Sequence, residues 1–363
     1  MELFEYRRAL HRIPETELDL PLTQKYIINA LKGKNCEIIL PIDCYVLAFF
    51  DYGKNETTAL RADMDALEIE EKTGLDFASV NDGKMHACGH DGHMAMLLGV
   101  ADMLNKTKAI PNTNVMLIFQ PGEEAPGGAK YILDTDVFEK YNITKIFGMH
   151  LMPDLPFGTI ATKTGGIMAQ VNNIYVEFTG KAVHIASYQE GCDALYAATL
   201  FINEVYKKVD KLCEIEHKVL RFGKMQSGNV RNQVSDKTVL NGTIRSYSEK
   251  DAQTLRELVI ETATQCAFEQ GCKVNYKFDN GYPAVINDTE LIKRLCQIEP
   301  KVKILDKPRM TAEDFSYYLQ KVPGVYMFLG TQSNHELHSP FFNFDENVLS
   351  IGRDLYYKIL MEF

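Results

Sequence analysis

Nine consecutive residues, Met85-His86-Ala87-Cys88-Gly89-His90-Asp91-Gly92-His93, hold three histidines, a cysteine and an aspartate. Thiolate and neutral imidazole together suit zinc or a similar transition metal. On an extended backbone Cys88 and His90, two apart, point to one side. His93 opens the apolar run Met94–Val100, which reads as a helix. A glycine-punctuated loop ending on a helix N-terminus favours negative charge, and so suits a thiolate. The bland alternative is a polar loop around a reduced, buried cysteine and hydrogen-bonded histidines. So many donor types in nine residues favour the metal.

Such donors need a scaffold that brings distant partners to them. The chain has 363 residues, enough for two domains, and 45% hydrophobic with 24% charged residues is ordinary for a globular protein. A formal net charge of −10 without a basic stripe speaks against nucleic acid or an anionic membrane as partner. The start, Met1-Glu2-Leu3-Phe4-Glu5, has no basic segment followed by an apolar one, and no apolar run reaches the roughly 18 residues of a spanning helix. The expected location is the cytoplasm. Eight cysteines scattered without a compact framework fit reduced thiols.

Four apolar runs each lead to chemistry-bearing residues. Thr58–Ala62 precedes Asp63-Met64-Asp65, and Val115–Gln120 precedes Pro121-Gly122-Glu123-Glu124. Lys145–Met149 runs into His150, and Val325–Gly330 precedes a loop with His335 and His338. Each reads as a buried strand that delivers a carboxylate or imidazole at its carboxyl end. With helical stretches between them they predict an α/β sheet covered by helices, where sites form outside the strands' carboxyl ends. The adjacent pair Glu123-Glu124 makes chemical sense beside a metal, because one carboxylate neutralises metal charge while its neighbour moves protons.

A different rhythm fills the middle of the chain. Strand-like 173–179, helical 194–209, strand-like 217–222 and 238–247, helical 252–270 and strand-like 273–278 give the order β-α-β-β-α-β, the ferredoxin-like split βαβ unit. The expected organisation is a discontinuous metal-binding catalytic domain, 1–170 and 281–363, with a second domain, 171–280, inserted into it.

The assembled motifs resemble the metal-dependent amidohydrolase and peptidase family of hippurate hydrolase, N-acyl-amino-acid amidohydrolases and N-acetyldiaminopimelate deacetylases. The resemblance covers almost the whole chain. It rests on Leu10-His11-x-x-Pro14-Glu15, Arg61-Ala62-Asp63-Met64-Asp65-Ala66-Leu67, His86-Ala87-Cys88-Gly89-His90-Asp91, Phe119-Gln120-Pro121-Gly122-Glu123-Glu124 and Gly148-Met149-His150, then Asn232, Gly242-Thr243-Ile244-Arg245, Glu313-Asp314-Phe315 and Leu337-His338.

What the resemblance implies is two divalent metal ions (Zn, Mn, Co or Ni) on Cys88, His90, Glu124, His150 and His338, with Glu123 as general base and Asp63 and Asp65 orienting ligands from behind. His184 corresponds to a histidine that stabilises the oxyanion, often across a dimer. Asn232 and Arg245 correspond to residues that hold the substrate's α-carboxylate, a task suited to arginine's fork of donors. The inserted domain corresponds to a lid and dimerisation domain, so a homodimer is expected. The implied reaction is hydrolysis of a small N-acyl amino acid, first of all N-acetyl-L,L-diaminopimelate in lysine biosynthesis, with a general N-acetyl-amino-acid amidohydrolase as the rival. Some positions depart from the family pattern, among them Glu68, Val183 and Ile185 around His184, Tyr188-Gln189, and Gln233-Val234-Ser235 after Asn232. None removes a ligand or the base; they bear on pocket shape. Two readings from other classes stand alongside: a metal-free enzyme with Cys88 as nucleophile, and a catalytically silent carboxylate binder.

Overall fold

The computed structural model describes residues 1–363, which divide into two units. One comprises Met1–Ile167, Val285–Pro308 and Glu313–Phe363; the other comprises Met168–Ala284 and Arg309–Ala312. In chain order the strands are β1 (Glu37–Ile39), β2 (Val46–Phe50), β3 (Thr57–Asp63), β4 (Asn114–Gln120), β5 (Ile143–Met152), β6 (Ile160–Thr162), β7 (Gly165–Met168), β8 (Gln170–Thr179), β9 (Val219–Ser227), β10 (Lys237–Ser246), β11 (Lys273–Asn280), β12 (Val285–Asn287), β13 (Lys303–Ile304) and β14 (Gly324–Gly330).

The first unit is built on an eight-stranded mixed sheet in the order β1-β2-β4-β3-β5-β14-β6-β13. Its centre, β4-β3-β5-β14, is parallel throughout. The four runs read from the sequence are therefore neighbours, and their carboxyl ends share one edge. Every residue of β3, β4 and β14 is buried, as expected of strands covered on both faces. Alternation sorts their side chains. Leu60, Leu117, Met149 and Met327 join an apolar core with the helices Leu3–His11, His90–Lys106 and Val348–Glu362. The intervening Arg61, Gln120 and Tyr326 stand outside that core and carry polar contacts instead.

The helix His90–Lys106 lies buried from His90 to Ala101. Gly92 lets its N-terminal turn approach the sheet closely, because a Cβ there would stand 2.8 Å from both Leu151 Cδ1 and Phe344 Cζ. No helix of the chain is long and apolar enough to cross a membrane, and all eight cysteines are free thiols.

The second unit is a four-stranded antiparallel sheet, β11-β8-β10-β9, with the helices Ala194–Lys211 and Glu249–Glu269. Its element order is the β-α-β-β-α-β read from the sequence. Ile174, Val176 and Phe178 of β8 meet Phe201 and Val205 of the first helix and Leu255 and Val259 of the second in one core. Both helices begin on side-chain caps. Asp193 accepts hydrogen bonds from the N–H groups of Leu195 and Tyr196, and Ser248 accepts one from Asp251.

Candidate active site

The backbone around the central motif departs from the extended form expected of it. Gly89 takes a left-handed conformation, φ +87°, as the N-cap, and the helix starts at His90 rather than His93. A side chain at position 89 would strain this turn, and that is why glycine stands there. The turn, not strand alternation, brings Cys88 and His90 together: their donor atoms and one of His150 lie within 4.8 Å of one another. The Cys88 thiol donates to His150 Nε2 at 3.4 Å.

Both imidazoles are oriented from behind. His150 Nδ1 donates to Leu151 O at 2.7 Å, and His90 Nδ1 donates to Asp65 O at 2.7 Å. A carbonyl only accepts, so each Nδ1 carries the proton and each Nε2 faces the cluster. His90 Nε2 has no hydrogen-bond partner although it is buried. Burial opposes charge on His90, but Asp63, Asp65 and Glu124 outweigh it and push its pKa up to about 10. The surroundings demand a positive charge at this nitrogen.

Glu124 and His338 complete the donor set. Donor atoms of Cys88, Glu124 and His338 lie within 4.8 Å of one another, as do those of His90, Glu123 and Glu124. Glu124 Oε1 stands 3.1 Å from His338 Nε2 without the alignment of a hydrogen bond. Asp65 sets the Glu pair: its Oδ1 accepts from Glu123 N and its Oδ2 from Glu124 N, both at 3.0 Å. Asp63 accepts from His93 Nδ1 at 2.5 Å and from Arg61 Nη1 at 2.8 Å. His93 Nε2 in turn accepts from Leu151 N at 3.0 Å, so both its nitrogens are used in fixing the donors' neighbours. His335 is exposed, packs on Phe341 and belongs to none of these donor groups.

A buried polar network that the motifs alone did not announce lies beside the donors. Arg61 binds Gln120 Oε1 at 2.9 Å and Asp314 Oδ1 at 2.6 Å and stands 3.1 Å from Glu313. Asp314 also accepts from Gln120 Nε2 and Ala129 N. Asp63, Asp65, Glu123, Glu313 and Asp314 are all buried, with Glu124 beside them, and Arg61 is the arginine among them. Buried charge of one sign is costly unless paired. Burial, then Glu313 and Glu124, hold the Glu123 carboxyl well above the usual range. This acid surplus, with the thiol and imidazole donors, fits bound divalent cations.

The remaining expected residues lie in the second unit. His184 is exposed, and its Nδ1 accepts from Ala186 N at 3.2 Å at the start of the turn Ile185–Glu190. Ile185 N donates to Asn232 O, which places Asn232 beside His184. Arg245 is elsewhere. It donates to Met310 O at 2.8 Å, and burial lowers its pKa. The Asn232 side of β10 pairs Lys237 with Thr179, the Arg245 side pairs Arg245 with Val171, and the strand between rises about 3.4 Å per residue, roughly 27 Å in all. Asn232 and Arg245 of one copy therefore do not converge on one carboxylate.

An α/β sheet whose carboxyl edge gathers thiol, imidazole and carboxylate donors around a held glutamate defines a metal-dependent hydrolase. The chain belongs to Peptidase family M20/M25/M40, whose sequence description matches residues 59–362. It is 35% identical over 365 residues to N-acetyldiaminopimelate deacetylase of Streptococcus pneumoniae (strain Hungary19A-6), covering 97% of this chain and 96% of that one. It is also 35% identical over 355 residues to N-acetyl-L-cysteine deacetylase of Bacillus subtilis (strain 168), covering 96% and 85%. The crystal structure of Bacillus subtilis YXEP, a dinuclear metal-binding peptidase of the M20 family, matches with a TM-score of 0.88 and 31% identity over 99% of this chain and 96% of that one.

Proposed function

We propose that this enzyme hydrolyses the amide bond of N-acyl amino acids, with N-acetyl-L,L-diaminopimelate as the first candidate and a general N-acetyl-amino-acid amidohydrolase as the rival. The observation that carries the reading is the position of Glu123, whose carboxylate lies within 4.8 Å of donors on His90 and Glu124. Relatives named for diaminopimelate and for cysteine substrates are equally similar, at 35% identity, so the amino acid is for experiment to choose.

Cys88, His90, His150, Glu124 and His338 would hold two divalent ions, which when bound supply polarisation of the scissile carbonyl and acidification of a water. Glu123 takes the proton from that water and delivers it to the leaving amine nitrogen, a role that typically contributes about 10²–10⁴-fold. Asp65 holds Glu123 and Glu124 through their backbone N–H groups, and Asp63 orients His93 and faces His90. His184 stabilises the oxyanion, and Asn232 and Arg245 select a free carboxylate. Domain roles follow the same reading: 1–170 with 281–363 catalyse, and 171–280 form a lid and dimerisation domain. In a homodimer Asn232 and His184 of one copy serve beside Arg245 of the other, which accommodates their separation; a fully active monomer in light scattering would remove that arrangement. The expected location is the cytoplasm.

A metal-free Cys88 nucleophile fits poorly. Burial and the neighbouring carboxylates push the Cys88 thiol well up, while burial and His93 take His150 down to about 3. That is the reverse of the thiolate–imidazolium pair such chemistry uses. The test is acetate release from N-acetyl-L,L-diaminopimelate, N-acetyl-L-cysteine and N-acetyl-L-methionine by chelator-stripped protein refilled with Mn²⁺, Co²⁺ or Zn²⁺. A metal-dependent rate that vanishes in Glu123→Gln with metal retained is expected. Preference for diaminopimelate identifies the biosynthetic role; comparable rates identify the broad enzyme. Turnover without metal, or an unaffected Glu123→Gln, refutes the mechanism.

A further inference from the structure

The loop that carries Glu123 and Glu124 leaves β4 at Pro121 and returns at Ala129, the first residue of the helix Ala129–Leu133; its tip, Ala125 and Pro126, is exposed and its base is buried. The two arms of the loop are tied together at one atom: Gly122 O accepts from Gly127 N at 2.9 Å and from Gly128 N at 2.8 Å. So close an approach needs glycine at 128, where a Cβ would stand 1.8 Å from Pro121 O. Asp65 holds the outgoing arm, through Glu123 N and Glu124 N. The returning arm is held on the peptide bond between Gly128 and Ala129. Its carbonyl, Gly128 O, accepts from Tyr45 OH at 2.7 Å, and its N–H, on Ala129, donates to Asp314 Oδ2 at 2.8 Å. Both side chains are buried, Tyr45 at 1% exposure and Asp314 at 0%.

We propose that Tyr45 is a positioning residue: it grips the returning arm of this loop and, through Gly128 and Gly122, fixes the backbone on which Glu123 and Glu124 stand. The path is continuous. Tyr45 OH binds Gly128 O, Gly128 N binds Gly122 O, and Gly122 O belongs to the same planar peptide unit as Glu123 N, which Asp65 holds. Asp314 also binds Arg61 of β3 and Gln120 of β4, so it registers Ala129 N against the strand ends. Tyr45 supplies the second point, which stops the peptide bond from turning about the first. Its hydroxyl keeps its proton and stays a donor, because burial, then Asp314, push its pKa up. A tight turn aims the side chain: Cys44, just before it, takes φ +67°, a conformation that favours glycine, and Cys44 Sγ accepts from Leu20 N at 3.1 Å. A misplacement of about 1 Å at a reacting group can cost about 10²-fold, so an anchor on the far arm bears on turnover even though it acts through two glycines.

This inference rests on the reading of Glu123 as base and Glu124 as metal ligand, so Glu123→Gln and Glu124→Ala run in parallel. Tyr45→Phe removes the hydroxyl and keeps the ring. Tyr6→Phe, the control, takes the hydroxyl from another buried tyrosine, whose partner is Asp102. Metal-stripped protein titrated with Co²⁺, followed by visible absorption and calorimetry, gives ion affinities; initial rates on refilled protein give kcat and KM. Expected for Tyr45→Phe are one ion bound about 10-fold more weakly, a kcat lower by about 10-fold at saturating metal and KM within about twofold, with an altered Co²⁺ spectrum. Tyr6→Phe should match the parent in every one of these readouts. Hydrogen exchange on the unsubstituted enzyme tests the same hold and decides the matter where Tyr45→Phe does not fold: the amides of Gly127, Gly128 and Ala129 should be protected as those of β4 are. Parental affinity and kcat in Tyr45→Phe, equal losses in Tyr6→Phe, or exchange of those three amides as fast as the exposed Ala125 amide overturns the proposal. Turnover by Glu123→Gln, or parental affinity for both ions in Glu124→Ala, removes the reading and this inference with it. Where those two variants fail as the reading requires and Tyr45→Phe is unaffected, this inference alone falls.

Discussion

Replacing Asp65 by Asn tests how the two glutamates are held. Asp65 is 1% exposed, and its two carboxylate oxygens accept from the N–H groups of Glu123 and Glu124 at 3.0 Å each. Asparagine keeps one acceptor and turns a donor toward the other N–H. One charge-assisted bond, worth about 1.5–3 kcal/mol, is lost, and a buried N–H is left facing a donor. The expected loss of stability is about 2–4 kcal/mol. At about 2–4 °C per kcal/mol for domains of this size, the lower figure alone moves Tm by about 4–8 °C. His90 keeps its bond from Nδ1 to the backbone carbonyl of Asp65 and loses only the carboxylate charge 3.6 Å away. Turnover falls by about 10–100-fold, the usual penalty for removing a ligand's outer partner. Differential scanning calorimetry on metal-stripped protein isolates the hydrogen-bond effect from metal binding, and initial rates on refilled protein give the second number. A metal-stripped Asp65→Asn protein that melts within 1 °C of the parent would refute the reasoning.

Two further outcomes follow from the packing. His11 is buried between Asp91, 2.8 Å from Nδ1, and Glu71, 3.3 Å from Nε2; burial opposes its charge, but these partners push its pKa up to about 9. A raised folded-state value means the contribution is complete below about pH 6.5, the unfolded value, and is lost as pH rises through about 9; about 3 kcal/mol is at stake, and His11→Asn should flatten the fall in Tm over that window, so parallel slopes in the two proteins would contradict the assignment. Gly92→Ala should lower Tm despite alanine's higher helix propensity, because the clash with Leu151 and Phe344, about 1–3 kcal/mol, outweighs about 1 kcal/mol of propensity; thermal melts showing a gain would mean that these side chains yield freely.

Much of this architecture is legible in the sequence for identifiable reasons. β3, β4, β5 and β14 are continuous apolar runs that stop at charged or imidazole residues, so strand and site residue are read together. The inserted unit announces itself by its change of rhythm. What was hidden depends on pairings that no local pattern carries. Arg61 sits in a motif, yet its partner Asp314 is 253 residues away, and only the pairing of β3 with β4, which sets Gln120 beside it, together with the loop that carries Glu313 and Asp314 shows why a buried arginine is tolerated there. The helix start at His90 turns on the left-handed Gly89, which a reading by alternation passes over. The separation of Asn232 from Arg245 depends on strand direction: Asn232 precedes β10, and Arg245 lies near the strand's far end.

The pair Glu123-Glu124 shows how sequence neighbours acquire different jobs. The two lie in the turn after β4, which holds both N–H groups on one carboxylate, that of Asp65. From that shared anchor both reach His90, Glu124 also reaches Cys88 and His338, and Glu123 also reaches Glu313 and Asp314. A pair on a helix face, three or four apart, would bring both carboxylates to the same cation. Adjacency in a clamped turn keeps both carboxylates beside His90 while giving each a different further neighbour, and on the proposed reading one ligates and the other moves protons. The apolar face of the same sheet, with Leu60, Leu117, Met149 and Met327 packed under three helices, is what makes the acidic interior sustainable without metal, and cation binding then adds stability where the carboxylates are densest. Catalytic order and folding stability thus draw on the same strands from opposite faces.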